Sequence, residues 1–262
     1  MAEDDRSRPE QLIFPPMFLP LADDNPHRRI TAPYVTFALI AANITVFLTT
    51  TALVPGATAN ANALGLGLIP AVITGKASLA VDLTLVSPWQ TWLTYMFMHG
   101  GWMHLVGNML FLWVFADNVE DAMGHVRFLV FYLLCGFAGA ALHLAMNTGS
   151  QAPLVGASGA ISGVLAAYLL LFPHVRVFGL ALNIVPISIP VWLALGAWIV
   201  LQVIHLVTSH GGDTAWWAHV GGLIAGAALV GVFKAPDVAL FNPRRTLVVT
   251  TPKLPLRRNP LR

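Results

Sequence analysis

Long apolar runs alternate with short polar breaks along this chain, and the runs set the first expectation. They cluster near residues 34–54, 101–118, 127–147, 158–172, 187–208 and 216–234. Roughly 20 apolar residues carry an α-helix across the ~30 Å hydrocarbon core of a bilayer. In lipid every backbone N–H and C=O must find a partner within the protein, so helices are the predicted elements. The pattern predicts an all-α membrane protein with six transmembrane helices and a long first outer connection, about 55–98. Gly and Pro punctuate that connection, and its apolar pieces at 64–73 and 79–86 place it on or partly in the outer leaflet. Trp89 and Trp92 suit an interfacial belt. Residues 1–30 and 236–262 are polar and proline-punctuated and read as tails, which leaves 31–235 as one membrane domain.

Composition sharpens this reading. Of 262 residues, 56% are hydrophobic and only 10% charged, against about 25% charged in soluble domains. A soluble chain of this length could not bury so many all-round apolar helices in one core. With six helices the basic residues sort by side. Arg6, Arg8, Arg28 and Arg29 precede the first helix, Lys234 through Arg262 follow the last, and only Lys76 falls opposite. By the positive-inside rule both termini are then cytoplasmic. Glu3, Asp4 and Asp5 argue against a transit peptide, and no signal peptide is evident. The expected location is therefore a bacterial inner (plasma) membrane. Basic residues beside a membrane read as anchors, so no nucleic-acid partner is expected. The lone Cys135 allows no internal disulfide and reads as a small buried hydrophobe.

Three places carry chemistry. In His99-Gly-Gly-Trp-Met-His104-Leu-Val-Gly-Asn108, His104 and Asn108 are four apart and share a helix face. Such groups inside a membrane need partners or a wet cavity. They read either as polar glue between helices or as donors aimed at developing negative charge. Gly156-Ala-Ser158-Gly159 opens a helix that stops near Phe172-Pro173, about 15 residues or roughly 22 Å later at 1.5 Å per residue. That is short of the hydrocarbon core, so the helix is predicted to begin below the outer surface. Asn147–Val155 would dip inward to meet it. Ser158 at a submerged N-terminus could work beside anion-stabilising N–H groups. It could also be a plain N-cap. Third, Ala218, Gly222 and Gly226 form a small-xxx-small stripe beside His219, matched by Gly159 and Gly163 in the serine helix. If the stripes pack, hydroxyl and imidazole come within hydrogen-bond reach.

These residues together resemble the rhomboid family of intramembrane serine proteases over about 34–235. The resemblance rests on His99, His104 and Asn108, on Glu120-Asp-Ala-Met-Gly124 after that helix, on Gly156-x-Ser158-Gly159, and on Ala218-His219-x2-Gly222-x3-Gly226. It implies a rhomboid-type bundle with Ser158 as nucleophile and His219 as general base. It implies an oxyanion hole from His104, Asn108 and the Ser158 backbone, with His99, Gly156, Gly159, Gly222 and Gly226 in support. It also implies endopeptidase action on single-span membrane proteins, with no metal or other cofactor. The partners expected are such substrates and the lipid bilayer. Some members carry a tyrosine where this chain has Ser162, so Trp216 or Trp217 is expected to orient His219. Many carry Trp-Arg where it has Gln90-Thr91.

No acidic residue lies within a transmembrane stretch where it could orient His219, so a dyad rather than a triad is expected. A metalloprotease would need His-Glu-x-x-His or a carboxylate beside two histidines, which His99 and His104 lack. A transporter would show broken helices in both halves. A non-catalytic membrane-protein binder of the same fold is the other alternative. Outside the site, His143 reads as a hydrogen-bonding group within the bundle, Glu120 as a structural partner of Arg127, and His205 and His210 as structural or exposed.

Overall fold

The computed structural model describes residues 18–181, 184–208 and 215–241. The chain is mostly helical. The apolar runs become α1 (Tyr34–Phe47, continued by a π turn at Leu48–Ala52), α5 (Trp102–Met123), α6 (His125–Met146), α7 (Ser158–Leu171), α8 (Val191–Thr208) and α9 (Trp216–Phe233). Between α1 and α5 run the short helices α2 (Gly56–Leu66), α3 (Pro70–Ile73) and α4 (Thr91–Thr94). Tyr34–Ala52, α6 and α9 are long and apolar enough to cross a membrane, while α7 and the Val191–Ile204 part of α8 are shorter apolar helices. Polarity is distributed as it would be in an apolar solvent. Phe37, Trp113, Val126, Trp192, Ile224 and Val232 are exposed, while Asn43, Asn108, Glu120, Gln202 and His219 are buried.

The all-helical expectation needs one correction. β1 (Phe18–Asp23), β2 (Arg176–Ala181) and β3 (Val185–Pro190) form an antiparallel sheet in the order β1-β2-β3. The apolar run at 187–208 therefore starts as strand. Pro186 and Pro190 cannot sit in a helix interior, and Val185, Ile187 and Ile189 alternate at the period of a strand. Residues 18–30, read from composition as tail, pack on the helices. Asp121 accepts the backbone N–H groups of Arg28, Arg29 and Ile30. Tyr168 of α7 donates to Asp23, and so does Asn118 at 3.0 Å. Glu120 is fully buried and caps α1 by accepting the N–H of Val35 and Thr36 and the Thr36 hydroxyl. Its ring partner is His125, not the expected Arg127. α5 thus continues past the apolar run to Met123, because its last turn is anchored by partnered acids rather than by hydrophobicity.

The core of the bundle is α9 wedged against α6 and α7. A Cβ on Gly222 would stand 1.8 Å from the Gly159 carbonyl oxygen, and one on Gly226 would stand 2.2 Å from that of Gly163. On the other side a Cβ on Gly221 would meet the Ala138 oxygen at 2.7 Å, and one on Gly139 would meet the Ala218 oxygen at 2.7 Å. Backbone touches backbone on both flanks of α9. In lipid there is little hydrophobic gain from joining helices, so this close van der Waals contact holds the bundle together.

Two outcomes follow from the packing. Gly222→Ala should destabilise the protein by about 1–3 kcal/mol through forced separation of α7 and α9, read as a lowered thermal midpoint in detergent. The second concerns Asp23, whose pKa burial pushes up from 3.8 to about 7. The folded protein then holds a proton that the unfolded chain has released, so attachment of β1 should weaken as pH rises from about 4 to 7 and level off above. Hydrogen exchange of residues 18–23 should show that slope in the wild type and a flatter one in Asp23→Asn.

Candidate active site

Ser158 is the first residue of α7, and the chain reaches it through irregular backbone from Asn147 onward. Irregular backbone buried inside the bundle must be satisfied by neighbouring protein. The connection between α1 and α5 supplies the partners. Leu154 and Leu68 exchange N–H···O bonds of 2.8 and 3.1 Å, and the Gly156 N–H donates to the Tyr95 oxygen at 2.9 Å. Tyr95 in turn donates its hydroxyl to Gly136 of α6. Gly156 itself has φ +122°, a region that side chains rarely adopt.

The seam then brings the hydroxyl and the imidazole together. His219 Nε2 lies 2.8 Å from Ser158 Oγ. His219 is 4% exposed, and Ser158 is half-buried. The other ring nitrogen, Nδ1, lies 2.9 Å from Gln202 Oε1 of α8. Trp216 meets the ring edge-on at 5.8 Å between centroids and Trp198 lies at 6.3 Å. Trp216 thus packs on His219 as expected, and Ser162 instead donates to the Ser158 carbonyl at 2.7 Å.

From α5 the side chain of His104 faces the same spot. A Cβ built on Gly156 would lie 2.6 Å from His104 Nε2 and 3.7 Å from Ser158 Oγ, so Gly156 leaves open the space between them. Asn108 is buried one turn further along α5, and its Nδ2 has no partner among the described residues. His99 stands edge-on to His104 at 5.0 Å between centroids and is buried. His143 lies in α6 with its Nδ1 buried and unpartnered, so the hydrogen bond expected of it is absent among the described residues. The His205 side chain and His210 lie outside the described residues. The described residues contain no group of His, Cys, Asp or Glu able to hold a metal ion.

A family profile for the rhomboid domain matches residues 87–235, more than half of the chain. The chain belongs to the rhomboid family. Among its relatives, the rhomboid protease GluP of Bacillus subtilis is 30% identical over 167 residues, 63% of this chain and 30% of GluP. Rhomboid protein 1, mitochondrial, of Saccharomyces cerevisiae is 30% identical over 134 residues, 50% of this chain and 38% of that protein. RHOMBOID-like protein 5 of Arabidopsis thaliana is 29% identical over 102 residues, 38% of this chain and 33% of the plant protein. The matched stretches therefore span only about a third of each relative's length.

Within this rhomboid domain the structure gathers Ser158, His219, His104, Gly156 and Gly159 at one place, with His99 against His104 and Asn108 one turn from His104 on α5. Gly222 and Gly226 act at one remove, through the seam. Sequence reasoning missed Gln202 and Tyr95. A faint signal for the first existed: between Val191 and Ile204, Gln202 is the only amide or charged side chain in apolar sequence. Gly156→Ala should place a methyl group against His104 and strain the turn. We expect at least about 10-fold lower labelling of Ser158 by a fluorophosphonate probe, because small displacements of reacting groups are costly. Labelling at the wild-type rate would show that the space has no role.

Proposed function

We propose that the chain is an intramembrane serine endopeptidase in which Ser158 and His219 form a catalytic dyad. One observation carries the reading: the 2.8 Å contact between His219 Nε2 and Ser158 Oγ inside an apolar bundle. A serine hydroxyl is a weak nucleophile and needs an adjacent base, which imidazole supplies near neutral pH. Ser158 Oγ attacks the peptide carbonyl as its proton passes to His219 Nε2. The C–N bond breaks as that proton moves to the leaving amine. Water, deprotonated by the same nitrogen, then hydrolyses the acyl ester and restores the hydroxyl.

The oxyanion of each tetrahedral intermediate needs preorganised donors. The Ser158 N–H, orphaned at the first turn of α7, is one. His104 and Asn108 Nδ2, which has no partner among the described residues, are the others we assign. A helix of 14 residues is about 21 Å long, which favours a nucleophile below the membrane surface. We infer six crossings by α1 and α5 to α9, with 31–235 as the membrane domain and both termini on the cytoplasmic, Arg-rich side. The segment 55–98 then lies on the outer side. A site at that depth suits single-span membrane proteins whose helix unwinds near the cleaved bond.

In proteoliposomes with a single-span substrate, Ser158→Ala and His219→Ala should each lower turnover by at least about 1,000-fold without loss of folding. A fluorophosphonate probe should label the wild type and not Ser158→Ala. Cleavage within tenfold of wild type in either variant would overturn the dyad. Substrate capture by a wild type that neither cleaves nor reacts with the probe would favour a non-catalytic binder.

A further inference from the structure

Resting on that reading of the dyad, we propose that Gln202 is a positioning residue: its side-chain oxygen sets the tautomer and orientation of His219. Gln202 is 2% exposed and its Oε1 lies 2.9 Å from His219 Nδ1. An amide oxygen has no hydrogen and can only accept, so this contact requires the proton of the neutral ring on Nδ1. Nε2 is then a bare lone pair directed at Ser158 Oγ, the state a general base needs. The opposite tautomer would place an N–H against the hydroxyl and leave nothing to take its proton.

No other described contact supplies this restraint. Trp198 and Trp216 flank the ring, but an indole N–H only donates. Among the described residues, the titratable side chains facing His219 are His104 from α5 and His143 from α6, and Ser158 of α7 meets its Nε2. None is a carboxylate, so the part that an aspartate plays in a Ser-His-Asp triad falls to an uncharged amide. The choice suits its surroundings, because a buried carboxylate would need a compensating charge whereas an amide needs only hydrogen bonds. Trp198 and Gln202 are four apart on α8, so that helix presents two side chains one turn apart to the ring. A merely structural role would make Gln202 glue between α8 and α9, indifferent to which ring nitrogen it meets.

The test compares Gln202→Leu with Gln202→Glu, the second keeping an acceptor oxygen at the same reach. In ¹⁵N-histidine-labelled protein, with His219 assigned by its loss in His219→Ala, the wild type should show a protonated Nδ1 and a bare Nε2. Gln202→Leu should show mixed tautomers, and Gln202→Glu should restore the single one. In the liposome assay Gln202→Leu should lower kcat about 10- to 100-fold with KM within about threefold, less than the about 10,000-fold cost of a fully mis-set tautomer in a triad, because part of the His219 population keeps the working tautomer. Gln202→Glu should recover most of that loss. An unchanged tautomer in Gln202→Leu, or equal losses in the two variants, would overturn the proposal. The NMR readout needs no turnover, so a wild type that cleaves nothing would count against the protease reading alone.

Discussion

Direct contact between the backbones of α7, α9 and α6 is the constraint on which the rest of this structure depends. Glycine makes it possible: a single methyl on Gly222 would overlap the Gly159 carbonyl. Only when the axes of α7 and α9 come that close can the short serine side chain at the head of one helix meet an imidazole on the next. Packing and chemistry are therefore one requirement. Widening the seam by one methyl group moves the hydroxyl and the imidazole apart as it weakens the bundle.

A second requirement follows from apolar surroundings, where every buried polar group needs a partner. At one end of the bundle this is met by acids that accept backbone N–H groups. Glu120 receives the start of α1 and Asp121 receives residues 28–30. Asp23 ties β1 to α5 and α7 through Asn118 and Tyr168. At the other end, the broken backbone before Ser158 is satisfied by Leu68 and Tyr95. By supplying those partners, the segment between α1 and α5 lets α7 begin from irregular backbone inside the bundle.

The candidate site combines these two effects. Close packing delivers the Ser158–His219 contact, and the open space over Gly156 separates His104 from the hydroxyl. Asn108, one turn from His104 on α5, keeps a donor without a partner among the described residues. Elsewhere in the bundle such a group would be a cost. On the proposed reading it is the kind of preorganised donor that developing charge requires. Gln202 extends the same logic with an uncharged group, in keeping with a bundle interior that tolerates hydrogen bonds better than ions.

Much of this protein is determined by sequence alone. The apolar runs place the long helices to within a few residues, since hydrophobic length has little room for another reading. Gly159, Gly163, Gly222 and Gly226 at four-residue spacing mark the faces that meet, and Ser158 and His219 flank them. Other features only the tertiary structure decided. The sheet joins residues 18–23 to 176–190, a pairing between segments more than 150 positions apart that no local pattern expresses. Glu120 stands close to Arg127 in sequence, yet burial gives it α1 and His125 as partners. Gln202 reads as an isolated polar residue until α8 leans on α9 and its oxygen meets Nδ1. Periodicity and spacing report which residues share a face of one helix. Which atom of a distant helix that face will touch depends on packing angle and depth, and these are settled only when all the helices pack together.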